Sequence, residues 1–193
     1  VGDGGARPEV VVSAGGGAVG IELLAMALAA QKLSRLGHLT WRVLAGPNIP
    51  DEGMQRLLRE AGPAAVVERS RVDFPALLRR AFVSISQGGY NTVLDVVTSG
   101  ARPVVVPFTG SGETEQRARG VRLRDFELAV VVDDRSNTPA VLAAAVDAAG
   151  AREQWGRWNF DSDGATRSAA IVAELVASGA RDRAGRAAPR VDQ

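Results

Sequence analysis

Two polar clusters hold the residues whose types and spacing can do chemistry. The first reads Gln87-Gly88-Gly89-Tyr90-Asn91-Thr92-Val93-Leu94-Asp95. Gly88 and Gly89 tolerate backbone dihedrals that other residues resist, so the chain can turn sharply there. A turn at a helix start leaves backbone N–H groups open, and the helix dipole favours an anion beside them. Asn91 and Thr92 add short side-chain donors at that helix start. Asp95 lies one turn further, on the same face. A phosphate on the helix end and a ribose diol on Asp95 would be spaced like a nucleoside diphosphate. The same residues also fit a structural role, because Thr92-x-x-Asp95 is a capping-box pattern that needs no ligand. The second cluster, Glu115-Gln116, follows a Gly-rich loop from Phe108 to Gly112. Its acceptors and donors suit the hydroxyls of a sugar. A structural alternative stands here too: Thr114 as N-cap, with the acids complementing the helix dipole.

A third stretch, Gly15-x-Gly17-x-x-Gly20, matches the dinucleotide fingerprint between a strand and a helix. That fingerprint needs an acid about 20 residues on, at the end of the second strand. The chain reads Leu44-Ala45-Gly46-Pro47 there, with no carboxylate for a ribose. NAD and FAD are therefore disfavoured. Two uses remain for these glycines: phosphate binding on backbone N–H groups, or close packing of helix on sheet.

Composition narrows the chemistry further. The 193 residues are 46% hydrophobic with a formal net charge of +1, so neither disorder nor nucleic-acid binding is favoured. Cysteine is absent, which removes disulfides, thiolate metal sites and a Cys nucleophile. His38 is the single histidine, and Lys32 follows Gln31 rather than a P-loop glycine. His38 also falls at the amino end of the second strand, opposite the polar clusters. Arg117, Arg119, Arg122 and Arg124 read as a solvated helix face, and Trp155 with Trp158 as packing anchors. No apolar run is long enough for a membrane helix.

The elements that must position these clusters alternate regularly. Strands are expected at 9–13, 40–45, 64–68, 82–85, 103–107 and 128–132. Helices are expected at 21–36, 51–61, 74–80, from the 87–89 turn to Gly100, 115–126, 139–149 and 165–177. Six strands alternating with helices predict an α/β fold with a doubly wound, parallel Rossmann-like sheet. Residues 1–8 read as a linker, 9–180 as one domain, and 181–193 as a disordered tail. The start at Val1 reads as a fragment or processed chain. In open sheets ligands bind beyond the carboxyl ends of the strands, where both polar clusters fall.

The run from Gln87 to Asp95, a proline-ended strand and then Glu115-Gln116 together resemble the C-terminal domain of GT-B glycosyltransferases. The resemblance covers roughly 9–132. It points to glycosyltransferase family 28 and its bacterial predicted-glycosyltransferase relatives. It implies that Gly88, Gly89, Asn91 and Thr92 hold a donor diphosphate, facing the glycine loop Gly15, Gly16 and Gly17. Gln87 stands where the plant-type signature has histidine, so its contact there would be a neutral amide. Asp95 stands where the family has a glutamate on the ribose hydroxyls. Glu115 and Gln116 would meet the sugar hydroxyls. Ser70, Arg71 and Val72 would read the base through their backbone.

The implied function is the donor-binding part of a hexosyltransferase, with a nucleoside diphosphate sugar, expected to be a UDP-sugar, as donor. Catalytic base and acceptor site would belong to a missing N-terminal domain or a separate acceptor subunit. The chain alone would then bind donor without transferring it. No catalytic residue, metal or cofactor is expected within it, and a cytoplasmic location fits. The alternatives are a nucleotide-sugar epimerase-like enzyme of GT-B architecture, or a natural donor-binding subunit of a two-chain transferase.

Overall fold

The computed structural model describes residues 8–15, 20–108, 110, 114–132, 137–156 and 163–186. The chain divides into two units, Val1–Trp158 and Asn159–Gln193. The first carries a six-stranded sheet ordered β3-β2-β1-β4-β5-β6, with every neighbouring pair parallel. Its strands are β1 (Glu9–Ser13), β2 (Thr40–Ala45), β3 (Ala65–Arg69), β4 (Ala81–Ser86), β5 (Arg102–Val105) and β6 (Val130–Val131). Between them run α1 (Ile21–Gln31), α2 (Asp51–Glu60), α3 (Phe74–Arg80), α4 (Tyr90–Ser99) and α5 (Glu115–Asp125), and α6 (Pro139–Ala151) follows β6. This is the doubly wound α/β fold the alternation predicts. Strand order reverses between β1 and β4, which makes their carboxyl ends the topological switch point.

Apolar runs such as Val10-Val11-Val12 form strands here because both faces of the sheet are covered. Val10, Val12, Trp41, Val43, Val83, Ile85 and Val104 share one cluster with Leu24 and Leu28 of α1 and Leu142 and Val146 of α6. On the other face, Val11 and Leu44 meet Leu77, Leu78 and Val96. Val105 packs with Val93 of α4 and Leu123 of α5. These contacts set α3, α4 and α5 against the sheet, so the start of α4 follows directly from β4.

Three boundaries differ from expectation. Helix one stops at Gln31 rather than near residue 36. Asp147 of α6 takes the Ser34 hydroxyl at 2.6 Å and the Arg35 N–H at 3.0 Å, drawing the chain into turns. β6 is two residues long, because Leu128 and Ala129 both donate to Leu123 O at the end of α5. In the second unit α7 (Gly164–Arg186) runs past residue 177, where the last helix was expected to end. Its last turns are rich in Ala and Arg, both strong helix formers. Residues 187–193 lie outside the described ones.

A half-buried ion network ties the edge of the sheet together. Arg42 Nε and Nη2 grip the Glu9 carboxylate at 2.8 and 2.9 Å, and Nη1 reaches Glu68 at 3.0 Å. The hydrogen bond from Arg42 holds the Glu9 carboxyl below its ordinary range, against desolvation by burial. The folded pKa is lowered, so this stabilisation is present above the ordinary Glu value of about 4.3. It is lost as pH falls through the lowered value. Glu9→Gln is therefore expected to reduce stability at neutral pH and to flatten its fall in acid. Urea unfolding across that range checks both; an unchanged acid slope would take Glu9 out of the acid response.

Candidate functional site

β4 ends at Ser86, and the chain turns through Gln87, Gly88 and Gly89 into α4. Gly88 has φ +81°, and a Cβ there would lie 2.9 Å from Val105 Cγ1. Backbone conformation and space therefore both select glycine. Gly89 is the N-cap, and no side chain caps the helix. The Val93 N–H bonds Gly89 O at 2.9 Å, and the helical N–H groups before it have no intrahelical acceptor. The capping box is not formed: α4 starts at Tyr90, so Thr92 is inside the helix. The Asp95 carboxylate is half-buried and makes no hydrogen bond or ion pair among the described residues.

A cavity of about 180 Å³ opens beside this helix start, at the carboxyl ends of three strands. Its lining takes Ser13 and Gly15 at the end of β1, Leu44 and Pro47 at the end of β2, Ser70 and Arg71 just after β3, then Phe74 and Thr92. Four residues singled out in the sequence, Gly15, Ser70, Arg71 and Thr92, thus line one cavity. Asp95 stands three residues after Thr92, a neighbour on the same face of α4, but is not among the cavity's lining residues. The Arg71 side chain is not free: Nε and Nη2 both bond the Asp73 carboxylate at 2.8 Å. The Ser70 N–H is also taken, by Ala45 O at 2.8 Å. Val72 is fully exposed at the rim of that loop.

A larger opening, about 640 Å³, includes Gln87, Phe108 and Gly110 in its lining. Its charged members Glu22, Arg56 and Glu60 pair with one another at 3.1 and 2.9 Å. Size favours this opening, but the smaller cavity sits at the strand ends beside uncommitted N–H groups and carries the better case for a site. The Gly88-Gly89 turn joins Gln87 in one to Thr92 in the other. At α5 the Gln116 Oε1 accepts the Phe108 N–H at 3.1 Å, tying the β5–α5 loop to the helix. Glu115 is exposed in the first turn, and Thr114 occupies the N-cap position of α5 without a side-chain capping bond, so the alternative reading of its hydroxyl as a cap is not met.

Residues 11–154 match the glycosyltransferase family 28 C-terminal domain. The chain belongs to that family. It is 30% identical over 146 residues to a UDP-N-acetylglucosamine–N-acetylmuramyl-(pentapeptide) pyrophosphoryl-undecaprenol N-acetylglucosamine transferase of Synechococcus sp. (strain CC9311). That match covers 74% of this chain and 38% of the relative, so the chain spans well under half of that protein's length. Among solved structures, MurG of Acinetobacter baumannii superposes with a TM-score of 0.59 at 21% identity, covering 81% of this chain and 48% of that one. An Arabidopsis thaliana protein complexed with UDP superposes at 0.54 with 15% identity, covering 76% of this chain and 35% of that one. At such identities the two structures speak to the fold alone, and that fold is the GT-B one.

In this family 28 domain the G-x-G-x-x-G stretch is partly described. Gly15 has φ +69°, and Gly16 and Gly17 lie outside the described residues. At Gly20 a Cβ would run into the Ala14 Cβ, so this glycine serves close packing of the start of α1 against the chain leaving β1. Gly20→Ala is accordingly expected to cost about 1–3 kcal/mol by overpacking. A melting temperature equal to the wild type would remove that role. His38 bonds Arg35 O through Nδ1, at the amino end of β2 as expected. Trp155 packs on the core beneath Arg152, and Trp158 lies outside the described residues.

One residue was missed. Arg117, Arg122 and Arg124 are exposed as a solvated face should be, but Arg119 turns inward. Its Nη1 donates to Gly88 O at 2.7 Å. The available signal was spacing, since Arg119 stands four residues after Glu115 and shares its helical face. Among the described residues no cluster of His, Cys, Asp or Glu could hold a metal ion, and no helix is long and apolar enough to cross a membrane.

Proposed function

We propose that this domain binds the donor of a glycosyl transfer, a nucleoside diphosphate sugar with uracil as base. The observation that carries this reading is the uncapped start of α4 beside the switch-point cavity, with the unpartnered Asp95 carboxylate one turn on. The diphosphate lies on the N–H groups before Val93, aided by Gly88, Gly89, Asn91, Thr92, Gln87 and the 15–17 loop. Asp95 accepts from the ribose hydroxyls. The base lies against the 70–72 loop, where the Arg71 N–H and the Val72 backbone remain for it once Ser70 N–H and the Arg71 guanidinium are committed. Glu115 and Gln116 face the sugar, with Gln116 also anchoring its loop. Family membership supports the reading, as do the donor named for the Synechococcus relative and the UDP bound to the Arabidopsis neighbour.

The chemistry follows from charge. Departure of the diphosphate develops negative charge, and preorganised helix N–H groups stabilise it without reorganising. The proton of the acceptor hydroxyl needs a base. That base and the acceptor site belong to a further domain or subunit, so this chain alone binds donor without transferring the sugar. No cofactor or metal takes part in this scheme, and the domain works in the cytoplasm.

Calorimetric titration of the chain with UDP, dTDP, GDP and NAD, without added metal, tests the reading. Saturable binding of UDP above the others is expected. Binding of NAD alone would return the glycine fingerprint to a dinucleotide role and overturn the proposal. Glu115→Ala is expected to weaken a UDP-sugar more than UDP itself. Equal losses for both would move Glu115 off the sugar.

A further inference from the structure

Arg119 has three neighbours: Gly88 O at 2.7 Å, the Glu115 carboxylate at 3.8 Å, and the Tyr90 ring, whose centroid is 5.7 Å from its Cζ. Its side chain is 24% exposed, while that of Glu115 is 83% exposed. The exposed ion pair is screened and weak, so the short charge-assisted bond to the Gly88 carbonyl dominates. That bond acts on the Gly88–Gly89 peptide unit. The unit is trans, so its N–H points opposite to its C=O. Glycine stands on both sides of it, and no Cβ resists inversion of the peptide plane. An inverted plane would aim a carbonyl lone pair where an N–H now points.

We propose that Arg119 is a positioning residue that presets this turn for an anion. By holding Gly88 O toward α5, it keeps the Gly89 N–H turned away from α5 and available to the donor diphosphate. The guanidinium also offsets the negative end of the carbonyl dipole beside the incoming phosphates. This inference rests on the donor reading above. It deepens that reading by tying phosphate affinity to a residue on a different helix from the phosphate site.

The test compares wild type, Arg119→Ala, Arg119→Gln and Arg119→Lys in binding of UDP and of uridine. Arg119→Ala is expected to weaken UDP at least 10-fold and leave uridine unchanged. Arg119→Lys, which restores a charged donor, is expected to stay within about 3-fold of wild type, with Arg119→Gln between. A merely structural role would lower both affinities together with the melting temperature. Equal UDP binding by a folded Arg119→Ala overturns the proposal while the donor reading stands. If Arg119→Ala does not fold, Lys and Gln variants with indistinguishable UDP affinities overturn it. A wild-type chain that binds neither ligand overturns both.

Discussion

Gly88→Ala is expected to abolish diphosphate binding and to cost the fold about 1–3 kcal/mol. Two effects add. A left-handed backbone costs an L side chain roughly 1–2 kcal/mol. The new methyl would also sit 2.9 Å from Val105 Cγ1, and Val105 is fixed by Val93 and Leu123. The turn must then open, and the N–H groups leading into α4 move from their places. Gly100 supplies the control. It has nearly the same φ, +85°, but nothing lies within 4 Å of its Cβ position, and it closes the far end of α4. Gly100→Ala is expected to lower stability by about 1 kcal/mol and leave UDP binding intact. Thermal unfolding and UDP titration of both variants separate the two effects. A folded Gly88→Ala that binds UDP like the wild type would take the diphosphate off this turn.

Asp95→Ala is expected to weaken UDP by about 1–3 kcal/mol, the scale of lost hydrogen bonds to a charged group. That is a loss of roughly 5- to 150-fold in affinity. Stability should hold, because the carboxylate supports no described hydrogen bond or ion pair. Pyrophosphate affinity should hold as well, since the residue acts on the ribose. Asp147 makes the opposite case. Its carboxylate accepts from the Ser34 hydroxyl and the Arg35 N–H, so Asp147→Ala should destabilise the fold and spare UDP binding. Unchanged UDP affinity in a folded Asp95→Ala would end the ribose assignment.

Legibility in the sequence followed the range of the forces. The β4–turn–α4 unit could be read because each part is local: an apolar run, two glycines, then valines at helical spacing. The doubly wound order followed from strands alternating with helices. The end of α1 could not be read, because Asp147 decides it from 113 residues away. The capping-box ambiguity at Thr92 had the same origin. Both readings fit the residue types, and the helix start was set by where β4 stops and by the positive φ of Gly88. β6 was overestimated because Leu128 and Ala129 are apolar whether they pair in a sheet or close a helix. Arg119 was hidden among arginines that do face solvent; its spacing from Glu115 was a weak signal, and the packing of α5 beside the turn is what singles it out.

The central claim is that a nucleoside diphosphate sits on the start of α4. Amide chemical-shift mapping of the isotope-labelled chain during titration with UDP tests it most directly. The expected result is saturable shifts at Gly88, Gly89, Asn91 and Thr92, together with Gly15 and the 70–72 loop. Saturable binding whose shifts leave residues 88–92 unmoved would contradict it.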